Sequence, residues 1–368
     1  MRVLNGMLVV LALLITAPGA CAQQPVPIAV IGLEHGHAGG LFATLRRTQN
    51  VTVVGIVEKD PTLRAKYAKQ YSLAASLFFD TPDAMLAAVK PKAVLLYTSP
   101  EKHRRYTEWA ASHGIDAMME KPFATTLADA VAMRDAGRRY HTRVLVNYET
   151  SWYASNAQVL KDVADGKLGT VRKVVIHDGH NGPAEIHVGP EFLAFLGDPE
   201  RNGAGAMFDF GCYGADLMVV MRHGELPVSV TAVAQTDKPA EYPHVDDDAT
   251  IILRYKDAQA VLMPSWDWTF SRKDMEVYGE KGVEVALDPD HMTARFDRAA
   301  KPAETDAPKM PLAYTNSLEY LAAIERGEIS GDGDLTSVDV NVATMQILDA
   351  ARRSVATGRT VGVTGVAR

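Results

Sequence analysis

Cysteine is almost absent from this sequence: two residues in 368, Cys21 and Cys212. Cys21 falls in a stretch that reads as a removable leader, so the mature chain keeps one thiol and has no internal disulfide available. Its stability must come from a buried core, which a chain of this length can build. No basic excess exists either. The 38 Lys and Arg stand against 45 Asp and Glu, a net charge of −7, and nothing is concentrated enough to track a nucleic-acid backbone. The apolar run from Met7 to Ala17 is too short to span a bilayer comfortably. It follows Arg2 and precedes Ala20-Cys21-Ala22, the pattern of a secretory signal peptide over 1–22 with Gln23 as the mature start. There is no twin-arginine pair, so general secretion is the route expected, to the periplasm or outside. Lipid anchoring at Cys21 is the alternative, for which Pro18 is a poor neighbour. What remains, 47% hydrophobic and 23% charged, is the composition of a soluble globular protein, long enough for two domains and with no membrane span in the mature chain.

From Val26 to Val146, β-branched runs alternate with amphipathic segments. Strands are expected at Ile28 to Ile31, Val51 to Val57, Ala93 to Tyr97, Ile115 to Met119 and Val144 to Val146. Helices are expected near Thr62 to Tyr71, Glu101 to Ser112 and Leu127 to Tyr140. Strands apolar throughout are buried on both faces, which implies a parallel sheet covered by helices. The repetition gives an α/β fold whose N-terminal part, 23–147, is a Rossmann doubly wound parallel sheet. After Asn147 the strand-like runs Val171 to Ile176, Val228 to Ala234, Ala249 to Tyr255, Ala260 to Pro264 and Met275 to Tyr278 have few helices between the later ones. They predict a C-terminal α+β domain, 148–368, with an open, mostly antiparallel sheet and a helix near Ser337 to Thr357.

Ligands of doubly wound sheets lie at the carboxyl ends of the strands. After the first strand, Gly32-Leu33-Glu34-His35-Gly36-His37 stands where a G-x-G-x-x-G fingerprint would bind a dinucleotide. Gly32 fits. Glu34 and His37 replace the second and third glycines, and a carboxylate there repels a diphosphate unless it turns away. Gly36, Gly39 and Gly40 leave the loop free to take another path, and His35 and His37 can donate to phosphate. Glu58, ending the second strand, is spaced to accept from the ribose hydroxyls, which favours NAD, while Lys59 beside it leaves NADP open.

The fifth strand runs into Met118-Met119-Glu120-Lys121-Pro122. With Thr98-Ser99-Pro100 and His103, the turn Asp165-Gly166-Lys167-Leu168-Gly169, the segment from Gly203 to Gly211 and the stretch from Glu276 to Gly282, this ordered set resembles the Gfo/Idh/MocA oxidoreductases over nearly the whole mature chain. The resemblance implies an NAD(P)-dependent enzyme acting on CH–OH donors. It implies cofactor contacts from Gly32, Leu33, Glu34, His35, Gly36, His37, Glu58, Thr98, Ser99, Pro100, His103, Glu120, Lys121 and Asn147. A small carbohydrate substrate would meet Lys121, Tyr148, His180, Asn181, Asp209, Tyr213 and Trp266. A cis Lys121-Pro122 bond and a homo-oligomer, dimer or tetramer, are implied as well. Tyr213 stands where the family usually has histidine, a substitution known in members that remain oxidoreductases.

The chemistry can also be argued from the residues. Oxidising a secondary alcohol needs a base for the hydroxyl proton while hydride leaves for nicotinamide. Lys121, Asp209 and Tyr213 are the catalytic candidates. Asp209 and Tyr213, four apart, share a face if their segment opens a helix. A free tyrosine, with its pKa of about 10, is too weak a base at neutral pH, but a nearby Lys121 ammonium favours its phenolate. His177, His180 and His187 fit no familiar metal spacing, and no metal is expected. The segment His177 to Gly182 reads as a polar sugar-binding loop. Trp266 and Trp268 read as sugar stacking or packing, and Asp246-Asp247-Asp248 as a solvated run. The leading function is oxidation of a secondary hydroxyl on a sugar, polyol or glycoside. The alternatives are an NAD-dependent glycosidase working by transient oxidation and elimination, and a carbohydrate-binding protein that has lost its cofactor site.

Overall fold

The computed structural model describes residues 23–299, 301–363, 365 and 366. The leader reading falls on 1–22, outside the described residues. The first sheet is built from β1 (Val26–Ile31), α1 (Ala38–Leu45), β2 (Val51–Val57), α2 (Pro61–Tyr71), β3 (Phe78–Phe79), α3 (Pro82–Ala88), β4 (Ala93–Leu96), α4 (His103–Ser112), β5 (Asp116–Glu120), α5 (Leu127–Tyr140) and β6 (Val144–Asn147). All its strands are parallel, in the order β3-β2-β1-β4-β5-β6. β4 and β5 are buried along their whole length, as strands covered on both faces must be. Local chemistry starts the helices: Asp60 caps α2 ahead of Pro61, and Thr126 caps α5 by accepting from the Asp129 amide. The sequence reading missed α1, α3 and β3. Gly39 and Gly40 weaken any helical signal in α1, and the other two are very short.

The second half runs α6 (Ala154–Ala164), β7 (Val171–Gly179), α7 (Pro190–Leu196), α8 (Pro199–Asn202), α9 (Ala206–Asp209), α10 (Gly211–Met221), β8 (Ser229–Gln235), β9 (Asp248–Arg254), β10 (Gln259–Ser265), β11 (Arg272–Gly279), β12 (Val283–Ala286), β13 (His291–Arg295), β14 (Ala303–Asp306), α11 (Ser317–Glu325), α12 (Val338–Thr357) and β15 (Val361–Gly362). The sheet order is β14-β13-β12-β11-β7-β10-β9-β8-β15. Neighbouring strands are antiparallel except β7 and β10. Alternation places Ile251 and Leu253 of β9 and Met275 and Val277 of β11 in the core with α10 and α12. α11 returns to the first sheet, where Leu318, Leu321 and Ile324 pack with Ile28 and Val30. No single described helix is long and apolar enough to cross a membrane.

The acidic run is a correction. Asp246 accepts from the Gly205 and Met207 amides (2.9 and 2.6 Å), and Asp247, fully buried, accepts from the Asp237 and Lys238 amides (both 2.7 Å). These carboxylates satisfy loop N–H groups that a solvated run would leave to water. Asp246 thereby fixes the turn that delivers Asp209. A Cβ on Gly205 would sit 1.7 Å from the Asp246 carbonyl oxygen, so only glycine permits this approach.

Candidate active site

The loops after β1 and β4 meet where the strand order reverses, the place at which such sheets bind ligands. Gly32 has φ +84°, and a Cβ there would lie 2.5 Å from Thr98 Cγ2. Gly32→Ala is therefore expected to destabilise the fold by about 1–3 kcal/mol and to weaken nucleotide binding, checked by denaturant midpoint and thermal shift with NAD. The Leu33 and Asp60 amides both donate to the Glu58 carboxylate (2.8 Å each), and burial pushes its pKa up. Glu58, Lys59, Thr98 and Lys102 border a cavity of about 850 Å³. Leu33 itself is buried beneath the loop and offers a backbone anchor rather than a contact.

Glu34 turns toward the β4 loop. It accepts from the Ser99 amide (2.8 Å), the Ser99 hydroxyl (2.9 Å) and Lys102 Nζ (2.6 Å), and Arg201 from the second half lies 3.4 Å away. Burial works against its charge, but Lys102 and the Ser99 amide prevail and lower its pKa. The repulsion expected of a carboxylate in this loop is thus largely neutralised inside the protein.

α7 stands between this cavity and a second one. Glu191 and Ala194 border the first, while Phe192 and Leu196 border the second, of about 650 Å³. The Phe192 ring lies 4.6 Å from that of His35, and a Cβ on Gly36 would meet it at 2.4 Å. Gly36 is thus glycine because an aromatic ring covers it, which corrects its reading as loop flexibility. His35 is buried, and its burial, with His37 and Lys121 nearby, holds it well below its usual pKa and therefore neutral.

The second cavity gathers the three catalytic candidates. Lys121, buried behind the cis Lys121-Pro122 bond, donates to Asp209 Oδ1 (2.5 Å) and to the Asp209 carbonyl (3.1 Å). Asp209 Oδ2 accepts from Trp266 Nε1 at 3.0 Å. Burial opposes both charges, yet each partner's field wins: the lysine is held above its usual pKa and the aspartate below. Tyr213 presents its ring to Lys121 Nζ at 5.1 Å and to Lys273 Nζ at 4.5 Å, and its hydroxyl bonds no described residue. His180, Glu149 and His37 also border the cavity.

Several expected contacts are corrected by these positions. Asp209 ends α9 and Tyr213 belongs to α10, with Phe210 and a 63° bend between, so no continuous helix face joins them. Tyr213 is not eased toward phenolate: burial, then Asp178 and Glu149, push its pKa well above the usual value and keep it a phenol. Tyr148 is buried with its hydroxyl on Asn341 (2.8 Å) and its ring edge-on to Tyr213, supporting that ring from behind. Trp266, fully buried, orients Asp209 and offers no face for stacking. Asn181 is exposed, and its carbonyl accepts from Lys238. His103, buried, bonds the Phe123 carbonyl at 3.0 Å and braces the turn after Pro122. Glu120 receives Asn147 Nδ2 (2.6 Å) and pairs with His37 Nδ1 (2.8 Å), so Asn147 and Glu120 set the histidine in place. Pro100 is buried at the start of a short 3-10 turn and shapes the Ser99 loop.

The sequence reading missed Arg201, Phe192, Glu149 and Lys273, while Asp178 fell inside the segment read as a polar loop, whose first three residues instead end β7. Lys273 left a signal. Strand alternation through Arg272–Gly279 puts it on the same face as the core residues Met275 and Val277, an odd place for a charge unless it serves a site.

These residues fit a nicotinamide dinucleotide. Glu58 lies at the rim of an open cavity over the strand ends, Gly32 leaves no Cβ between the two loops, and Lys102 and Arg201 border the path between. When bound, the nicotinamide supplies the hydride acceptor.

Comparison with known proteins agrees. Residues 26–148 match the family described as oxidoreductase family, NAD-binding Rossmann fold, and residues 156–284 match the GFO/IDH/MocA C-terminal domain. The chain is 27% identical over 297 residues to D-apiose dehydrogenase of Paraburkholderia graminis, covering 76% of this chain and 74% of that protein. It is 23% identical over 287 residues to scyllo-inositol 2-dehydrogenase (NADP(+)) of Bacillus subtilis, covering 76% and 82%. Its fold superposes on the aldose-aldose oxidoreductase of Caulobacter crescentus complexed with glycerol with a TM-score of 0.78 at 25% identity, over 92% of this chain and 99% of that one. With both halves matched in order, the chain belongs to the GFO/IDH/MocA family of NAD-binding oxidoreductases.

Proposed function

We propose that this enzyme oxidises a secondary hydroxyl of a sugar, polyol or glycoside, passing hydride to nicotinamide. The observation that carries the reading is the buried Lys121–Asp209 pair beside Tyr213, on the wall of a cavity at the carboxyl ends of a nucleotide-binding sheet. The Lys121 ammonium donates to the substrate oxygen and stabilises the alkoxide as hydride departs. Asp209 and Trp266 hold that ammonium in place. The Tyr213 phenol makes a second hydrogen bond. His180, kept neutral by burial, accepts from the Gly182 amide at Nδ1 (2.8 Å), which leaves its Nε2–H as a donor to a further hydroxyl. Such a set of donors suits a neutral polyhydroxylated ligand. The names of the relatives, an apiose and an inositol dehydrogenase among them, support the same class. Export through the leader at 1–22 belongs to this proposal.

The test is incubation of purified enzyme with NAD and a panel of aldoses, cyclitols and methyl glycosides. NADH formation is expected, and release of aglycone without net NADH would favour the glycosidase instead. Cofactor choice is a separate prediction. Glu58 repels a 2′-phosphate, so NAD is expected to bind about tenfold tighter than NADP or better, and Glu58→Ser to narrow that gap, read by fluorescence titration. Equal affinities in the wild-type enzyme would refute the assignment of Glu58 to the ribose.

A further inference from the structure

Alcohol oxidation releases a proton, and the groups named so far have nowhere to put it. Lys121 and Tyr213 are already protonated, and Asp209 is committed to Lys121 and Trp266. Glu149, in the short turn after β6, accepts from Lys273 at 2.7 Å, and that lysine outweighs burial to keep it ionised. Asp178 differs from all of these. It lies on the inner face of β7, 3% exposed, and among the described residues neither carboxylate oxygen has a hydrogen-bond partner. Its cross-strand neighbour on β11 is Lys273, whose Nζ stands 3.7 Å from Asp178 Oδ1 and 4.5 Å from the Tyr213 ring centre. A buried carboxylate left without donors is costly and calls for an explanation.

We propose that Asp178 and Lys273 form the proton reservoir of this site: the substrate hydroxyl proton enters at Tyr213 and comes to rest on Asp178, with Lys273 between them. This rests on the dehydrogenase reading. The exchange is balanced. Lys273 passes a proton to the Asp178 carboxylate and swings from the Tyr213 ring face to the phenol oxygen, where Tyr213 gives up its own proton to it as it takes the hydroxyl proton. Tyrosine and lysine end as they began, and Asp178 gains the proton. In reduction the sequence reverses. The groups facing Asp178 are consistent with this use. Burial raises its pKa to about 7, while Lys273 and Lys121 pull it down and Glu149 and Asp209 push it up. Burial is outweighed at Lys273, which Asp178 and Glu149 keep charged. Asp178 can thus release and accept a proton near neutrality, which neither Lys121 nor Tyr213 can do.

The experiment is the pH dependence of kcat/KM for oxidation in the wild type, Asp178→Asn, Lys273→Arg and Lys273→Met. NAD affinity and melting temperature are followed in parallel. The wild type is expected to lose oxidation rate as pH falls through about 7. Asp178→Asn is expected to lose that limb and about a hundredfold in kcat/KM, with NAD affinity unchanged. Lys273→Met is expected to fall comparably, and so is Lys273→Arg, which keeps the charge but cannot give up a proton. A second reading needs no turnover. Because the folded pKa is raised, Asp178 stabilises the fold fully below its unfolded pKa and that contribution is lost as pH rises through about 7. The wild type's melting temperature should therefore fall over this range relative to Asp178→Asn. An active enzyme whose acid limb survives Asp178→Asn would overturn the reservoir alone. A wild type that neither binds NAD nor oxidises any polyol would overturn the dehydrogenase reading and the reservoir with it.

Discussion

Lys121→Met is expected to lower kcat/KM by about a thousandfold or more and to destabilise the protein at the same time. Both effects have one origin. Among the described residues Lys121 is the only cation bonded to the Asp209 carboxylate, and the pair is almost wholly out of water. Removing the ammonium deletes the donor proposed for the substrate oxygen. It also strands a buried carboxylate with Trp266 Nε1 as its remaining side-chain donor, which typically costs about 3–5 kcal/mol. The stranded acid relieves itself by taking up a proton, so its pKa rises in the folded state. By linkage the variant's stability falls as pH increases, where the wild type shows the reverse contribution from an Asp209 held below its usual value. The double variant Lys121→Met/Asp209→Asn separates the two effects. It is expected to regain most of the stability and none of the activity, read by urea denaturation and by initial rates. Full activity in the single variant would refute the role given to Lys121.

Tyr213→Phe is expected to behave in the opposite way, losing about a hundredfold in kcat while leaving the fold within about 0.5 kcal/mol of the wild type. The ring carries the packing: it stacks on Phe210 at 6.1 Å, meets Tyr148 at 5.5 Å and receives two ammonium groups. The hydroxyl bonds no described residue and belongs to the cavity. Phenylalanine keeps the former and removes the latter. Because burial, Asp178 and Glu149 hold the phenol well above its usual pKa, the wild type should keep this donor through the alkaline range. A fall in melting temperature with kcat unchanged would show that the hydroxyl serves the fold instead of the reaction.

Periodicity was the most legible part of the molecule. The runs at Val51–Val57 and Leu127–Tyr140 have the observed bounds of β2 and α5, because a β-branched apolar run and a capped amphipathic helix each advertise themselves locally. Chemistry-bearing positions were legible where they end strands: Glu58 and Lys121 sit at the carboxyl edge that the topology requires. Misreadings clustered where a polar residue had a distant partner. Asp246 and Asp247 looked solvated because the amides they cap lie elsewhere in the chain. Trp266 looked like a stacking platform because its indole N–H partner is 57 residues away, and Tyr148 looked like a substrate contact because Asn341 is 193 residues away.

Sequence alone determined the parallel sheet, the mostly antiparallel one and the order of the two, and it singled out Lys121, Asp209 and Tyr213 as candidates, since these follow from local patterning and short motifs. Tertiary structure alone decided how those groups ionise. Burial and neighbours from β7, β11 and the turn after β6 keep Tyr213 a phenol, keep Lys121 an ammonium and leave Asp178 able to change charge near neutrality. The reason is that an electrostatic field is summed over space, and no window of sequence contains the residues that generate it.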